Sequence, residues 1–152
     1  MSKSKMLAGM SVLAATAVIV SGVAVAQQDA IATRKAAMKA VGGATKTSVQ
    51  MIKGEIPFDA VAAKASADTI ANGWAGFAKQ FPKGTETGGE TTAAPKIWET
   101  FADFDEKGKK MAVEAAKASA ASAQGAEAFK TAFGEVTKSC KGCHDDYRVK
   151  KP

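Results

Sequence analysis

"FKTAFGEVTKSCKGCHDDYR", residues 129–148, is the stretch whose spacing decides the fold. Phe129, Phe133, Val136, Cys140, Cys143 and Tyr147 follow one another in steps of four and three, the spacing of one face of an α-helix. So regular a stripe predicts a helix with one buried side, and it puts both cysteines on that side. The stretch also holds His144, the only histidine, and the only two cysteines of the 152-residue chain. A chain of this length buries a core without disulfide staples, so the thiols are not required for stability.

Upstream, three further segments read as helical. Gln28 to Lys53 carries Ile31, Met38, Val41, Val49 and Ile52 near one face, and Gly54-Glu55-Ile56-Pro57 ends it. Asp59 stands near the next helix start, with Phe58, Val61, Ala65, Thr69 and Gly73 leading to Trp74, Phe77 and Phe81. Pro82 to Gly89 is dense in turn residues and reads as a loop. Pro95 suits the first turn of a third helix whose stripe is Trp98, Phe101, Gly108, Met111 or Ala112, and Ala115, fading into AKASAASAQGA at 116–126. Four helices of about 20 residues joined by short loops predict an all-α, antiparallel up-down-up-down four-helix bundle. Its alanine-rich interior predicts a large flat guest; the alternative is an Ala-Gly bundle whose helices approach closely and hold nothing.

The first residues read as an export signal. Lys3 and Lys5 precede an uncharged, mostly apolar run from Met6 to Val25, and Ala24-Val25-Ala26 is a cleavage pattern. Residues 1–26 are expected to be removed and 27–152 to form one domain in the bacterial periplasm, with no membrane contact after cleavage. An uncleaved anchor competes, since a run of about 20 apolar residues can span a bilayer; Gly9, Ser11, Thr16, Ser21 and Gly22 dilute it. Loss of Lys3 and Lys5 lowers the formal charge from +6 to about +4. The lysines are scattered and one tyrosine offers little stacking, which argues against nucleic acid.

Cys140-Lys141-Gly142-Cys143-His144 is the C-x-x-C-H pattern of c-type haem attachment. Two thiols three residues apart on a helix point one way, each able to form a thioether with a haem vinyl group, and the next residue supplies an imidazole to the iron. A thioredoxin-like pair shares the C-x-x-C spacing but needs a βαβ setting with the cysteines at a helix start. A zinc site wants four ligands where the chain offers three of the usual kinds. A structural disulfide remains open in an exported protein, though it leaves His144 without a reason.

The chain resembles the class II c-type cytochromes, cytochrome c′ and its low-spin relatives. Carrying the resemblance are Arg34-Lys35-Ala36-Ala37-Met38, KGEIPFDA at 53–60, FPKGTETGG at 81–89, PKIWE at 95–99 and CKGCHDDYR at 140–148. It implies one haem c held covalently by Cys140 and Cys143 with His144 on the iron. Arg148 matches the basic residue of the proximal side, and Arg34 the arginine near the haem propionates. Thr85 and Glu86 fall in a loop that approaches the haem edge in relatives. A carrier or binder is implied, not an enzyme.

The resemblance sets Met38 over the distal face. A coordinating Met38 gives a six-coordinate, low-spin electron carrier working between periplasmic redox partners. A Met38 that only packs there gives a five-coordinate binder of nitric oxide or carbon monoxide. Coordination is the preferred expectation, because Ala36-Ala37-Met38 and Gly42-Gly43 let the first helix approach closely and GTETGG and PKIWE look more like the low-spin relatives. Plain packing is the other possibility, since Met51 and Met111 also lie on helices and methionine fills gaps. Lys138, Lys141, Arg148, Lys150 and Lys151 surround the motif, so an acidic redox partner is expected. A homodimer through the first two helices is the further partner the resemblance implies. A cofactor-free exported helical binding protein is the reading from another class.

Overall fold

The computed structural model describes residues 18–87 and 89–150, with side chains from Asp29 onward. Residues 1–17, most of the expected export signal, lie outside the described residues, as does Lys151. The elements are α1 (Val18–Ile52), α2 (Ala60–Ala78), the one-turn α3 (Lys96–Glu99), α4 (Phe101–Ala121), a 3-10 turn at Ser122–Gln124, and α5 (Ala126–Tyr147). The four long helices run antiparallel. Asp68 on α2 meets Ser119 late in α4 at 2.6 Å, whereas Phe77, later in α2, meets Phe104 early in α4, ring centres 6.5 Å apart. Among the described residues there is no strand, and no helix is long and apolar enough to cross a membrane.

The connections follow from a few side chains. Gly54, at φ 71°, takes the left-handed turn after α1, where its N–H reaches the Met51 carbonyl at 3.1 Å. Asp59 caps α2: its Oδ1 accepts from the amides of Val61 and Ala62 at 2.8 and 3.0 Å, as the sequence suggested. Gly125, at φ 103° and ψ 178°, makes the bend into α5 in a region open to glycine alone.

Several expectations need correction. The third helix is two: Thr100, at φ −128° and ψ 48°, breaks it, its hydroxyl bonding the Lys96 carbonyl and the Tyr147 phenol. The connection from α2 to α4 is long; it contains α3 and folds Phe81 and Ile97 over one end of the bundle. The buried face of α2 is also offset. Val61 is 79% exposed, while Ala63, Ser66, Ala67, Ile70 and Trp74 are buried. Alanines let α2 approach its neighbours closely, and Thr69 satisfies its hydroxyl on the Ala65 carbonyl. On α4 the core residue is Phe104, and Phe101 is exposed, because α4 starts afresh after Thr100. α1 is helical from the first described residue, Val18, so it includes positions upstream of the expected Gln28. The stripe on α5 is as expected: Phe129, Phe133, Val136 and Tyr147 are buried, with Cys140 and Cys143 packed beside them.

The core has two parts. At one end Met51, Ala63, Ala67, Ile70, Ala115, Ala118, Phe129, Phe133 and Val136 form a closed apolar cluster. At the other, Trp74, Phe81, Ile97, Phe104 and Tyr147 form an aromatic one. The fully buried alanines lie at the closed end, against phenylalanine, so alanine there serves close packing and not a void.

Candidate functional site

α5 packs along α4, α4 along α2, and α2 along α1, but α1 and α5 touch only sparsely. The square of helices is therefore loose on one side, between the helix that carries Arg34 and Met38 and the helix that carries the C-x-x-C-H motif.

On α5, Cys140 packs against the closed cluster and Cys143 against the aromatic one. Both are half-buried and unbonded to each other. Burial raises the Cys140 thiol, and burial together with neighbouring Cys140 pushes Cys143 up to about 11. Such thiols are protonated at neutral pH, the opposite of the low-pKa cysteine a thioredoxin-like pair needs. Among the described residues no group of three or more His, Cys, Asp or Glu could hold a metal ion, which removes the zinc reading for them. His144 is on the exposed side of the same turn. Desolvation first, and then the charge of Arg148, lower its pKa against the pull of Asp145, so the neutral imidazole with a free lone pair is favoured.

The end of α5 is pinned from outside. The Tyr147 phenol donates to Asp103 at 2.5 Å and lies 2.9 Å from the Thr100 hydroxyl. Residues 92–94 run beside 147–149, with Ala94 N–H on the Tyr147 carbonyl at 3.0 Å and Val149 N–H on the Thr92 carbonyl at 2.8 Å. Arg148 is exposed; its backbone N–H closes the helix on the His144 carbonyl at 3.2 Å. Sequence reasoning missed this strap, because it is made of backbone groups.

On α1, Arg34 is 5% exposed. Its guanidinium lies over Phe81 and Trp98, 4.7 and 5.4 Å from the ring centres. Nη2 donates to the Thr85 carbonyl at 2.7 Å and Nε to the Ala30 carbonyl at 3.3 Å, while Nη1 is buried with no partner. Burial lowers the Arg34 pKa, and the charge of half-buried Glu86 opposes that. Thr85 acts through its carbonyl; its hydroxyl bonds the Pro82 carbonyl at 2.8 Å. A buried guanidinium N–H without an acceptor is costly, and it suits an anionic group such as a carboxylate.

Met38, one turn after Arg34, is half-buried and lines a cavity of about 220 Å³ with Val41, Ile70, Trp74, Phe77 and Met111. The expected basic rim is thinner than its lysines suggest. Lys138 pairs with Glu135 at 2.6 Å and Lys141 with Asp145 at 2.5 Å; among the described residues Arg148 and Lys150 form no ion pair.

Two thiols on one helix face, an adjacent neutral imidazole, a loose side between α1 and α5, and an orphaned buried guanidinium together fit a covalently attached haem with its carboxylates. The comparisons agree. The family profile described as Cytochrome C′ matches residues 29–148. Cytochrome c′ of Rhodopseudomonas palustris is 43% identical over 139 residues, 91% of this chain and 94% of that protein. The solved cytochrome c′ from Rhodopseudomonas palustris superposes with a TM-score of 0.75 at 41% identity, covering 82% of this chain and 98% of that one. A nitric oxide complex of a cytochrome c prime variant from Alcaligenes xylosoxidans superposes at 0.72 with 32% identity, covering 82% and 97%. This chain thus belongs to the cytochrome c′ family, and its cofactor is haem c, covalently bound through Cys140 and Cys143.

Proposed function

We propose that the chain is a periplasmic haem protein whose Met38 side takes a small diatomic gas, nitric oxide or carbon monoxide. The carrying observation is the cavity of about 220 Å³ beside Met38, which is walled by apolar side chains and sized for a small molecule. The nitric oxide complex of the Alcaligenes variant supports the same reading.

When bound, the haem supplies an iron that exchanges one electron and can hold one diatomic ligand. The chain's residues do the rest. Cys140 and Cys143 would fix the group to α5, and His144 would offer its imidazole to the iron. Arg34 offers its unpartnered Nη1 to a carboxylate. Val41, Ile70, Trp74 and Phe77 wall the Met38 side with apolar surface. Arg148 is exposed one turn beyond His144, and the charge of Glu86 bears on Arg34.

One observation favours electron transfer with Met38 as a sixth ligand: a thioether stands one turn from Arg34 with room around it. A redox partner with an acidic surface remains the proposed electron source, docking through Arg148 and Lys150; a homodimer through α1 and α2 is the second proposed assembly. The deciding experiment is the ferric spectrum of the haem-bearing protein with and without Met38→Leu. A high-spin spectrum unchanged by the substitution is expected. A low-spin spectrum that becomes high-spin in Met38→Leu overturns the gas reading and installs the electron carrier.

A further inference from the structure

Trp74 faces two cavities at once. It lines the cavity beside Met38, and it also lines an outer groove of about 610 Å³ between α2 and α4. That groove is bounded by Ala75, Ala78, Phe101, Lys109 and Val113, and it is apolar apart from its charged rim. Trp74 is the residue the two linings share.

The indole is buried, and a single hydrogen bond and ring contacts with Phe77 and Phe104 hold it. Its N–H donates to Asp105 Oδ1 at 3.0 Å, and Asp105 is in turn held by Lys109 at 2.6 Å. The ring lies so close on α4 that a Cβ built on Gly108 would fall inside it; only glycine permits this seat. Phe104 touches it edge-on, ring centres 5.1 Å apart. The outer groove is larger than the inner cavity and leaves open space on its side of Trp74.

The inner cavity has a second boundary, at exposed Ala40 and Thr69 between α1 and α2. There Val41 reaches within 3.9 Å of a Cβ built on Gly73, so widening that boundary means parting two helices. Apolar diatomics partition into apolar hollows, and the groove over Trp74 is the larger one.

We propose that Trp74 is the gate by which an apolar diatomic ligand passes from the α2–α4 groove to the Met38 cavity, with Asp105 as its latch. The proposal rests on the gas reading above. Asp105 does not line the inner cavity, so Asp105→Ala frees the indole without enlarging the pocket.

The test is the rate of carbon monoxide recombination after flash photolysis of the ferrous haem-bearing protein. Asp105→Ala should accelerate it roughly tenfold, the effect of losing one hydrogen bond to a charged acceptor. Ala75→Trp, which fills the groove from an exposed position, should slow the wild-type protein and erase the gain of Asp105→Ala. Thr69→Trp, at the other boundary, should change nothing. Unchanged rates in Asp105→Ala, or slowing by Thr69→Trp and not by Ala75→Trp, overturn the gate. Exchange of the Trp74 indole N–H, followed by NMR, is the readout that needs no gas. Opening without global unfolding is expected, and exchange only through global unfolding overturns the gate. A negative pyridine haemochrome assay instead sinks the haem reading, and the exchange experiment then decides the gate alone.

Discussion

The two ends of the bundle are built from the same four helices and differ in almost every other respect. At the closed end Ala63, Ala67, Ile70, Ala115, Ala118, Phe129 and Val136 are fully buried and meet apolar neighbours on every side. At the open end the aromatic cluster shares its space with the high-pKa Cys143 thiol and an orphaned guanidinium, and a cavity lies beside it. Stability comes from the first and chemistry from the second. A native fold keeps buried polar groups satisfied; among the described residues Arg34 Nη1 and Ser48 Oγ depart from that rule, and only the guanidinium carries a charge.

The largest effect should come from breaking the closed end. Phe133 is 1% exposed and stacks on Phe129 at 5.3 Å, so Phe133→Ala should cost about 3–5 kcal/mol in denaturant unfolding. If the ends are independent, the visible spectrum of the folded haem-bearing variant stays that of the wild type. A shifted spectrum means the closed end shapes the site and the division is false.

Next comes Arg34. If its Nη1 holds a carboxylate of the bound group, Arg34→Met in the haem-bearing protein should lose about 1.5–3 kcal/mol, read as a lowered thermal midpoint. The guanidinium's stacking on Phe81 and Trp98 is partly kept by the methionine stem, and the desolvation cost of a buried charge is removed. A midpoint equal to or above the wild type therefore denies Arg34 that role and makes it a packing residue of the open end.

The two ends also differ in how far the sequence exposes them. α5 is fully legible because each stripe position holds a residue that stands out from its background: two phenylalanines, a valine, two cysteines and a tyrosine. The end of the α2 stripe, Trp74 and Phe77, is as expected, but its first turns are read off the buried face, because Ala63 and Ala67 make the contacts there and alanine occurs on both faces of the same helix. The expected guest is right, but the reason is misplaced. Buried alanine packs the closed end, and the room lies among larger side chains at the other. Cys140, Cys143 and His144 are plain in the motif, whereas the roles of Thr85 and residues 92–94 rest on carbonyls and amides that any residue possesses. The contact of Trp74 with Gly108 had a signal, since both lie on the expected stripes, but nothing in one sequence says that they meet.

The smallest and most discriminating effect is acid. Each end ties α2 to α4 through one aspartate: Asp68 accepts from Ser119 at 2.6 Å, and Asp105 accepts from the Trp74 indole at 3.0 Å. Both carboxyls are held below the ordinary aspartate value, Asp68 by Lys64 and then Ser119, Asp105 by Lys109 and then Trp74. A carboxyl lowered in the folded state stabilises it fully above its unfolded value of about 4, and that contribution is lost as pH falls through the lower folded value. Solvent screens both pairs, so neither tie should unfold the protein by itself. At the closed end the surrounding cluster holds the helices when Asp68 protonates. At the open end Asp105 is the one hydrogen-bonding partner of the indole, so protonation should loosen Trp74 first. In a Trp98→Phe background the Trp74 fluorescence should therefore change below about pH 4, ahead of the loss of helical signal, and Asp105→Asn should remove that step while Asp68→Asn leaves it. A Trp74 signal that moves only with the helices would make both ends equally rigid, and the closed and open ends would then differ in chemistry but not in mobility.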